Sequence, residues 1–527
     1  MTAPHATSGG LAAALRPSPA TLAAAGAGLM AATALPPFHH TGPLMVPALA
    51  LLFWAVLRAP SPWRTAWAFG AVHQLALLHW LYFLGDAAPI ASRTLVPASA
   101  TAAVLYASLY AALWGGVIGL ARRRLGVAAA LVLIPLSWFL TEWLRGTGEL
   151  AFPWCLTGAA VLTTDALHLA AAAGEAGLGA WLAAAGATVA AFALRRGREA
   201  PAVDRVAFGL LGLTVVGAVL IATHAGTGPV DPAAPELRVA VVQPDVALQD
   251  KWDPARRDST IVPYTELSQV AVARGADLLV WAETAVPAYL RYDRPLRRWV
   301  SALADSLDTS IFLGHPEMML GPDGERLRYN GASLYGPDGV RSGGYLKHHL
   351  LPFGEVMPFQ RLIPALGKLD LGQAEWEVGP APAPIPLPVR GDTLRFAALI
   401  CYEAILPDLA RDAVNAGAGL LVNITNDGWF GDTAGPRQHA AMARLRAAEC
   451  GVPMIRCANN GESFLADARG RILAGLPLGA RDVALAEVRP GPAGTAYLRH
   501  GDRPVHRLLT LWTVVGLILA LKDRRRG

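Results

Sequence analysis

Long apolar runs constrain this chain more than any other feature of its sequence, because a helix needs about 20 apolar residues to cross the hydrocarbon core of a bilayer. Runs near that length fill most of the chain before residue 230, and one more lies close to the C-terminus. They predict a membrane domain over residues 1–230 and a closing helix over residues 506–522, with about eight membrane-spanning helices in all. The runs are residues 19–36, 44–57, 66–84, 97–121, 127–144, 166–194, 206–223 and 508–521.

Positive charges fall on alternate loops between these runs, and this alternation predicts how the chain is oriented. Cytoplasmic loops of membrane proteins carry an excess of Lys and Arg. We therefore expect both termini in the cytoplasm and the long segment after residue 223 on the outer face. The outer short loops contain only Arg93 and Arg145. The inner ones contain Arg16, Arg58, Arg64, Arg122, Arg123, Arg124, Arg195, Arg196, Arg198, Arg205, Lys522, Arg524, Arg525 and Arg526.

The first apolar run has a second interpretation. Small residues at positions 31–34 are compatible with a cleavage site, so the run could instead be a signal peptide. That alternative removes one span but leaves the segment after residue 223 on the same side of the membrane.

The composition changes at Glu236. The whole chain is 53% apolar and 16% charged, with a mean hydropathy of +0.36, which excludes a disordered, acidic-tail or coiled-coil protein. From Glu236 to about His500, charged residues are evenly spread and the apolar runs are short enough to be strands. The formal net charge of +5 is too small to indicate a nucleic-acid partner, and membrane topology explains the arginine clusters.

The cysteines exclude two kinds of site. The four of them are too few and too unevenly spaced for a disulfide scaffold or a CxxC zinc site. Cys450 and Cys457 could pair if their domain lies outside the cytoplasm. The alternative is that each is a small buried apolar residue, and the sequence leaves this open.

Short apolar runs alternate with longer helical patterns between residues 236 and 490. Continuous apolar runs bounded by turn residues are typical of strands buried on both faces, so we expect an α/β domain with helices packed on sheets. We expect the Pro-rich segment 379–389 to be an exposed connection, because proline cannot donate to a strand ladder. Strands are predicted at 237–242, 278–282, 311–314, 394–400 and 419–424, and helices at 265–274, 296–307, 406–416 and 437–450.

Three residues that could perform acyl chemistry stand at the ends of such segments. Glu283 and Cys401 follow predicted strands, and Lys347 follows the segment 344–346. In layered α/β domains the loops at strand ends converge on the active site. A cysteine at a strand-to-helix turn can act as a nucleophile. A nearby carboxylate can accept its proton, and an ammonium group can stabilise the oxyanion that forms when the thiolate attacks an acyl carbon.

The sequence around these three residues resembles the Glu-Lys-Cys signature of the nitrilase superfamily. The resemblance covers residues 236–487, and the N-terminal spans extend it to the apolipoprotein N-acyltransferase family, in which it covers nearly the whole chain. It implies a nitrilase-like αββα sandwich joined to the multi-span helical domain. The segments that carry it are WAETAVP (281–287), YLKHHLLPFGE (345–355), ICYEAILPD (400–408) and NITNDGWF (423–430).

What the resemblance implies is a ping-pong acyl transfer at the periplasmic face of a bacterial inner membrane. An acyl chain leaves a membrane glycerophospholipid, forms a thioester on Cys401, and passes to the N-terminal amine of the diacylglyceryl-cysteine of an apolipoprotein. The family assigns the general base to Glu283 and the oxyanion-stabilising cation to Lys347. It implies no metal ion or other cofactor. The family also implies a supporting role for Glu355, Tyr402 and Glu403. It places Trp252 at the mouth of the substrate site.

Two other functions stay open from the sequence. One is a membrane-tethered amidase or nitrilase that hydrolyses a soluble substrate with the same three residues, although hydrolysis would not need so many spans. The other is a binding or transport protein with an inactive nitrilase-like domain, which the intact set of Glu283, Lys347 and Cys401 argues against.

Overall fold

The computed structural model describes residues 17–84, 93–195, 200–226, 235–251, 254–360, 362–364, 376–491 and 494–526. Every one of the predicted apolar runs contains a helix, and the helix bounds differ from the predicted ones by a few residues. The N-terminal helices are α1 (Pro19–Thr33), α2 (Met45–Arg58), α3 (Pro62–Leu78), α4 (Val96–Leu125), α5 (Val127–Arg145), α6 (Ala170–Ala193) and α7 (Ala200–His224), and the C-terminal one is α14 (Arg503–Arg526).

Among the described residues, five helices are long and apolar enough to cross a membrane. They are α4, α5, α7, α14 and the segment Asp165–Ala193, which contains α6. The helices α1 and α2 are apolar but shorter. The multi-span helical character of the N-terminal part is therefore confirmed, whereas the total of eight spans stays a prediction.

The helix α1 is part of the packed bundle. Its residues Ala24, Ala27 and Ala31 are fully buried in the same apolar core as Leu52 of α2 and Phe69 of α3. Small residues on one face let helix backbones approach closely in a membrane bundle. In this structure the first apolar run is thus a helix packed in the core of the domain, and its two interpretations from the sequence stay predictions.

The helix α6 bends at Gly174, where φ is +64°. A side chain at this position would lie 2.2 Å from the ring of Tyr497, so only glycine fits both the backbone conformation and the contact. The bend places Glu175, which follows it, against residues of the α/β domain.

The α/β domain contains two six-stranded sheets. In each sheet three parallel strands, β1–β3 or β7–β9, are flanked by antiparallel ones. The orders are β12-β1-β2-β3-β4-β5 and β11-β10-β9-β8-β7-β6. The strands are β1 (Leu237–Gln243), β2 (Leu278–Trp281), β3 (Ser310–Leu320), β4 (Arg326–Tyr335), β5 (Arg341–Leu346), β6 (Ile385–Val389), β7 (Asp392–Ile400), β8 (Leu420–Thr425), β9 (Met454–Ala458), β10 (Ser463–Ala466), β11 (Ile472–Leu476) and β12 (Asp482–Val488).

The two sheets pack face to face. Val241 and Phe312 of the first sheet share a buried core with Phe396 and Val422 of the second. The outer face of each sheet is covered by helices, which gives the predicted order helix, sheet, sheet, helix. The helices of this part are α8 (Leu248–Lys251), α9 (Arg257–Ala273), α10 (Arg294–Leu307), α11 (Pro407–Asn415), α12 (Ala434–Cys450) and α13 (Ala496–His500).

The prediction of an exposed connection over 379–389 is wrong for its last part. Residues Ile385–Val389 form β6, which pairs antiparallel with β7 at the edge of the second sheet. Pro386 and Pro388 are exposed while the alternate residues face the core. Proline is tolerated at a sheet edge because no further strand needs its missing N–H.

The helix α12 lies between the second sheet and the membrane domain. Ala443 and Ala447 pack against the sheet, whereas Met442 and Leu445 belong to the same core as the membrane helices. A helix that is buried on every side needs apolar or fully paired residues all round. The membrane domain therefore covers the outer surface of one helical layer of the sandwich.

Cys450 and Cys457 are both free and buried. Cys450 packs on the helical side of the second sheet, and Cys457 lies between the sheets, where its thiol donates to the carbonyl of Val280 over 3.1 Å. The small buried apolar role is the correct one of the two alternatives.

Candidate active site

The structure brings Glu283, Lys347 and Cys401 together at one end of the two sheets. Glu283 comes shortly after β2, Lys347 directly follows β5, and Cys401 directly follows β7. Within each sheet β2 and β7 belong to the parallel central strands, whose carboxyl ends carry Glu283 and Cys401. The three side chains interact electrostatically with one another, as the mutual effects on their pKa values indicate.

Glu283 is almost fully buried and both of its carboxylate oxygens are hydrogen-bonded. Asn330 Nδ2 donates to Oε1 over 2.7 Å, and the backbone N–H of Asn426 donates to Oε2 over 2.9 Å. Burial raises the pKa of Glu283, and the charge of Lys347 opposes this rise. A carboxylate with a raised pKa is suited to accept and return a proton near neutral pH.

Lys347 is 1% exposed and its ammonium group lies 2.6 Å from Glu355 Oε2. Burial disfavours the charged form, but Glu355, then Cys401 and Glu283, outweigh it and raise the pKa of Lys347 above its ordinary value. Lys347 is therefore a fixed positive charge inside the site. Glu355 Oε2 also accepts from the N–H of Leu351 over 2.8 Å, and its Oε1 shares the amide of Asn330 with Glu283.

Cys401 begins a short 3₁₀ helix (Cys401–Ile405) at the end of β7. Its φ is +52°, in the left-handed region that few residues other than glycine adopt without external support. The thiol is half-buried. Burial and then the negative charge of Glu283 raise the pKa of Cys401, while Lys347 and a hydrogen bond with Thr425 oppose the rise. The resting thiol is thus protonated and needs a base to become a nucleophile.

Glu403 supports the turn that carries Cys401. Its side chain is fully buried, and burial raises its pKa, whereas Lys347 and its hydrogen bonds oppose the rise. Oε2 accepts from the N–H of Ile400 over 2.7 Å, directly before Cys401. Its other oxygen accepts hydrogen bonds of 2.8 to 2.9 Å from Tyr345 and from the backbone of His348 and His349.

Tyr402 connects the turn that carries Cys401 to the membrane domain. Its hydroxyl donates to the carbonyl of Ala151 over 2.6 Å, and its ring stacks on Phe152. Both partners lie in the segment between α5 and α6. Trp252, which the family resemblance places at the substrate mouth, lies outside the described residues.

Several residues of the site were missed by sequence reasoning. Asn330 lies within β4 and bridges Glu283 and Glu355. Lys251 is 2% exposed, and its ammonium group donates to the carbonyl of Glu283 over 3.0 Å. Burial lowers the pKa of Lys251 to about 8. His439, on α12, contacts the carbonyl of Cys401 over 3.1 Å. Of these residues, only Lys251 could have been noticed from the sequence, because it directly precedes Trp252, which the family resemblance places at the substrate mouth.

In the described part of the chain, no group of three or more His, Cys, Asp or Glu residues has the geometry to hold a metal ion. The polar groups that converge on Cys401 are a carboxylate, an ammonium and amides. Such a set can deprotonate a thiol, stabilise an oxyanion and form and break a thioester.

Two family models match the chain. The N-terminal domain of apolipoprotein N-acyltransferase matches residues 27–188, and the carbon-nitrogen hydrolase family matches residues 238–496. Among solved structures, a carbon-nitrogen hydrolase from Helicobacter pylori G27 is 18% identical, with a TM-score of 0.38, over 53% of this chain and 94% of that one. An amidase from Nesterenkonia sp. AN1 is 19% identical, with a TM-score of 0.39, over 53% and 98%.

Curated relatives match across almost the full length. The apolipoprotein N-acyltransferase of Azotobacter vinelandii is 34% identical over 505 residues, which are 94% of this chain and 94% of the relative. That of Pseudomonas aeruginosa is 32% identical over 524 residues, 96% and 98% of the two chains. That of Geobacter metallireducens is 34% identical over 434 residues, 80% of each. On identity and coverage of this extent, the chain belongs to the apolipoprotein N-acyltransferase family.

Proposed function

We propose that this protein transfers an acyl chain from a membrane glycerophospholipid to the N-terminal amine of diacylglyceryl apolipoproteins, through a thioester on Cys401. The observation that carries the proposal is the convergence of a thiol, a buried carboxylate and a buried ammonium group on one end of a sandwich that packs against membrane helices. The names of the relatives supply the acceptor, and the membrane domain favours a lipid donor.

In the first half-reaction Glu283 takes the proton of the Cys401 thiol, and the thiolate attacks the ester carbonyl carbon of the phospholipid. Lys347 stabilises the negative charge on the carbonyl oxygen. When the ester C–O bond breaks, Glu283 returns the proton to the departing oxygen, so the products are a lysophospholipid and the acyl thioester. The pKa of Glu283, raised by burial, suits this exchange.

In the second half-reaction the neutral amine of the lipoprotein attacks the thioester carbon. Glu283 takes a proton from the amine nitrogen and returns it to the cysteine sulfur as the C–S bond breaks. The products are the N-acylated lipoprotein and free Cys401. One nucleophile and one base therefore serve both steps, and Lys347 stabilises the oxyanion in each.

The two substrates are lipids anchored in a bilayer, so the enzyme must hold its thiol near the membrane surface. We assign the catalytic domain to the periplasmic face of the inner membrane, with both termini in the cytoplasm. The alternation of arginine clusters supports this orientation. In the proposed organisation the transmembrane domain (residues 1–230) and the closing helix (506–522) anchor the catalytic domain (236–490) to the membrane.

The test is the intact mass of the purified protein. Incubation with phospholipid should add one acyl chain to Cys401 and release an equal amount of lysophospholipid. A diacylglyceryl-cysteine peptide with a free N-terminus should then remove the acyl chain as an amide, whereas an N-acetylated peptide should leave it in place. Release of the acyl chain only as free fatty acid would replace this function by lipid hydrolysis.

A further inference from the structure

We propose that two consecutive residues of α12, Gln438 and His439, form a positioning link between the membrane domain and the nucleophile. His439 holds the backbone of Cys401, and Gln438 holds the same helical turn against the membrane domain. The link keeps the thiol at a fixed place relative to the bilayer that delivers its substrates. This inference rests on the proposed function, because it concerns acylation by a membrane lipid.

His439 is 1% exposed, and its Nε2 donates to the carbonyl oxygen of Cys401 over 3.1 Å. In the neutral ring that donates from Nε2, the other nitrogen, Nδ1, accepts from Arg456 Nη2 over 3.1 Å, and Asp427 Oδ1 lies 3.0 Å from it. Asp427 and Arg456 are themselves a buried ion pair with an N–O distance of 2.7 Å. The contacts at Nδ1 fix the orientation of the imidazole ring, so the Nε2–H group points at the carbonyl of Cys401 in a fixed direction.

Cys401 needs such support because its backbone adopts a left-handed conformation. Its carbonyl oxygen receives a second, longer hydrogen bond from Asn423 Nδ2, at 3.4 Å. Fixing the direction of this carbonyl fixes the peptide plane after the nucleophile, and with it the direction of the thiol. A misplacement of about 1 Å in an active site can reduce turnover on the order of 100-fold.

Gln438 is 2% exposed and uses its whole side-chain amide to bind the membrane domain. Its Oε1 accepts from the indole N–H groups of Trp80, over 3.0 Å, and Trp154, over 2.7 Å. Its Nε2 donates to the carbonyls of Pro36, over 3.1 Å, and Leu77, over 3.3 Å. These partners come from three separate parts of the membrane domain, so the amide joins them all to one turn of α12.

The far end of α12 carries a second buried connection, which keeps the helix from rotating about the link. Arg446 pairs with Glu175 of α6 over 2.9 Å and with Glu449 over 3.1 Å. Arg446 Nη1 also donates to the carbonyl of Ile405, the last residue of the 3₁₀ helix that Cys401 begins. The helix α12 is thus bound to the membrane domain and to the turn that carries Cys401 at two places along its length, at residues 438–439 and at Arg446.

The test uses the full-length protein and two reactions of Cys401. Alkylation by iodoacetamide reports the reactivity of the thiol alone, and acylation by phospholipid reports reactivity together with placement at the membrane. Gln438→Leu should leave the alkylation rate within about twofold of the wild type but slow acylation on the order of 100-fold. His439→Leu should slow both reactions, alkylation by about tenfold, the size expected from the loss of one hydrogen bond at the nucleophile.

Conservative variants keep the test decisive if a leucine variant does not fold. Gln438→Glu keeps the acceptor oxygen for Trp80 and Trp154, so this variant should be acylated faster than Gln438→Leu. His439→Gln keeps an N–H donor, so its alkylation rate should lie between those of His439→Leu and the wild type. Leu445→Met is the matched control, since it changes packing on the membrane side of α12 without removing a polar contact, and both rates should stay near the wild type.

Equal slowing of alkylation and acylation in Gln438→Leu, or no effect on acylation, would overturn the link. An unchanged alkylation rate in His439→Leu would remove its positioning role. If the wild-type protein itself is not acylated by phospholipid, the proposed function fails instead, and the His439 comparison still stands because alkylation needs no lipid.

Discussion

Lys347 Nζ lies 2.6 Å from Glu355 Oε2, and the lysine side chain is almost completely removed from solvent. A buried ammonium group keeps its charge only when a partner offsets the cost of leaving water. Glu355 is the largest of the favourable influences on the pKa of Lys347. In the proposed mechanism Glu355 therefore acts through Lys347, by keeping the oxyanion-stabilising group charged.

Glu355→Gln should lower the pKa of Lys347, because burial then acts with less opposition. We expect the rate of acyl-thioester formation to fall about tenfold or more near neutral pH, and its decline at alkaline pH to begin at a lower pH than in the wild type. The measurement is a pH–rate profile of acylation. Glu317→Gln is the control, since Glu317 is also a buried carboxylate paired with arginines, Arg291 and Arg341. An identical profile for both variants would contradict the role of Glu355.

Lys347→Met should shift the acid limb of the pH–rate profile of acylation to higher pH, whereas Glu355→Gln shifts the alkaline limb to lower pH. Lys347 opposes the rise in the pKa of Glu283, so its removal raises that pKa further. The base loses its function as the pH falls through its pKa, and the acid limb should therefore shift to higher pH. An unchanged acid limb would mean that Lys347 and Glu283 are not coupled.

Cys401→Ala should abolish acyl-enzyme formation, and Cys401→Ser should nearly do so because a hydroxyl is far harder to deprotonate than a thiol. Glu283→Gln should reduce turnover by orders of magnitude in a folded protein. Intact mass after incubation with phospholipid reads out all three. Cys450→Ala is the control, since Cys450 is buried on the other side of the second sheet. Acylation that persists in Cys401→Ala would place the nucleophile elsewhere.

Exposed apolar side chains near Glu355 predict a contact with the outer leaflet. Phe359 and Leu362 are 40% and 79% exposed, and apolar surface gains roughly 25 cal/mol per Å² when it leaves water. Replacing both by Ser should slow acylation from phospholipid vesicles more than acylation from detergent-dispersed donor. Leu320→Ser, at the exposed end of β3, should change neither. Equal slowing in both donor formats would indicate that the loop only packs against the domain.

Single cysteines at Ser61 and Gly321, in a Cys401→Ala background, test the orientation. Ser61 lies between α2 and α3, and Gly321 lies in the turn after β3. On intact cells a membrane-impermeant thiol reagent should label the cysteine at 321 but not the one at 61. The remaining native cysteines are buried and should give little background. Labelling of both positions would contradict the proposed topology.

The part of the site that could be predicted from the sequence is the part that follows apolar runs directly. Glu283 and Cys401 follow the apolar runs of β2 and β7, at the strand ends where α/β domains place their chemistry. Asn330 could not be found in this way, because it lies inside a strand and its two carboxylate partners are distant in sequence. Its contacts form only when β4 pairs with β3 and β5 in the folded sheet, which brings Asn330 close to Glu283 and Glu355.

The same reason explains why α12 was predicted as a helix but not as a junction. Its sequence shows small and charged residues on all sides, with no apolar stripe that would indicate which partner it meets. Gln438 and Arg446 are polar residues of the kind usually found on a solvated face, yet both are buried because their partners belong to the other domain. Only the assembled structure identifies those partners.

The position of α12 also determines how this protein can be handled and made. An isolated segment 236–490 would expose Met442 and Leu445 to water and would leave Arg446 without Glu175. Because this fragment would carry an exposed apolar surface and a buried arginine without its partner, it should aggregate or remain partly unfolded. We therefore expect the sandwich to reach its final form only when the N-terminal helices are folded beside α12, so that the catalytic domain cannot be produced separately from the membrane domain.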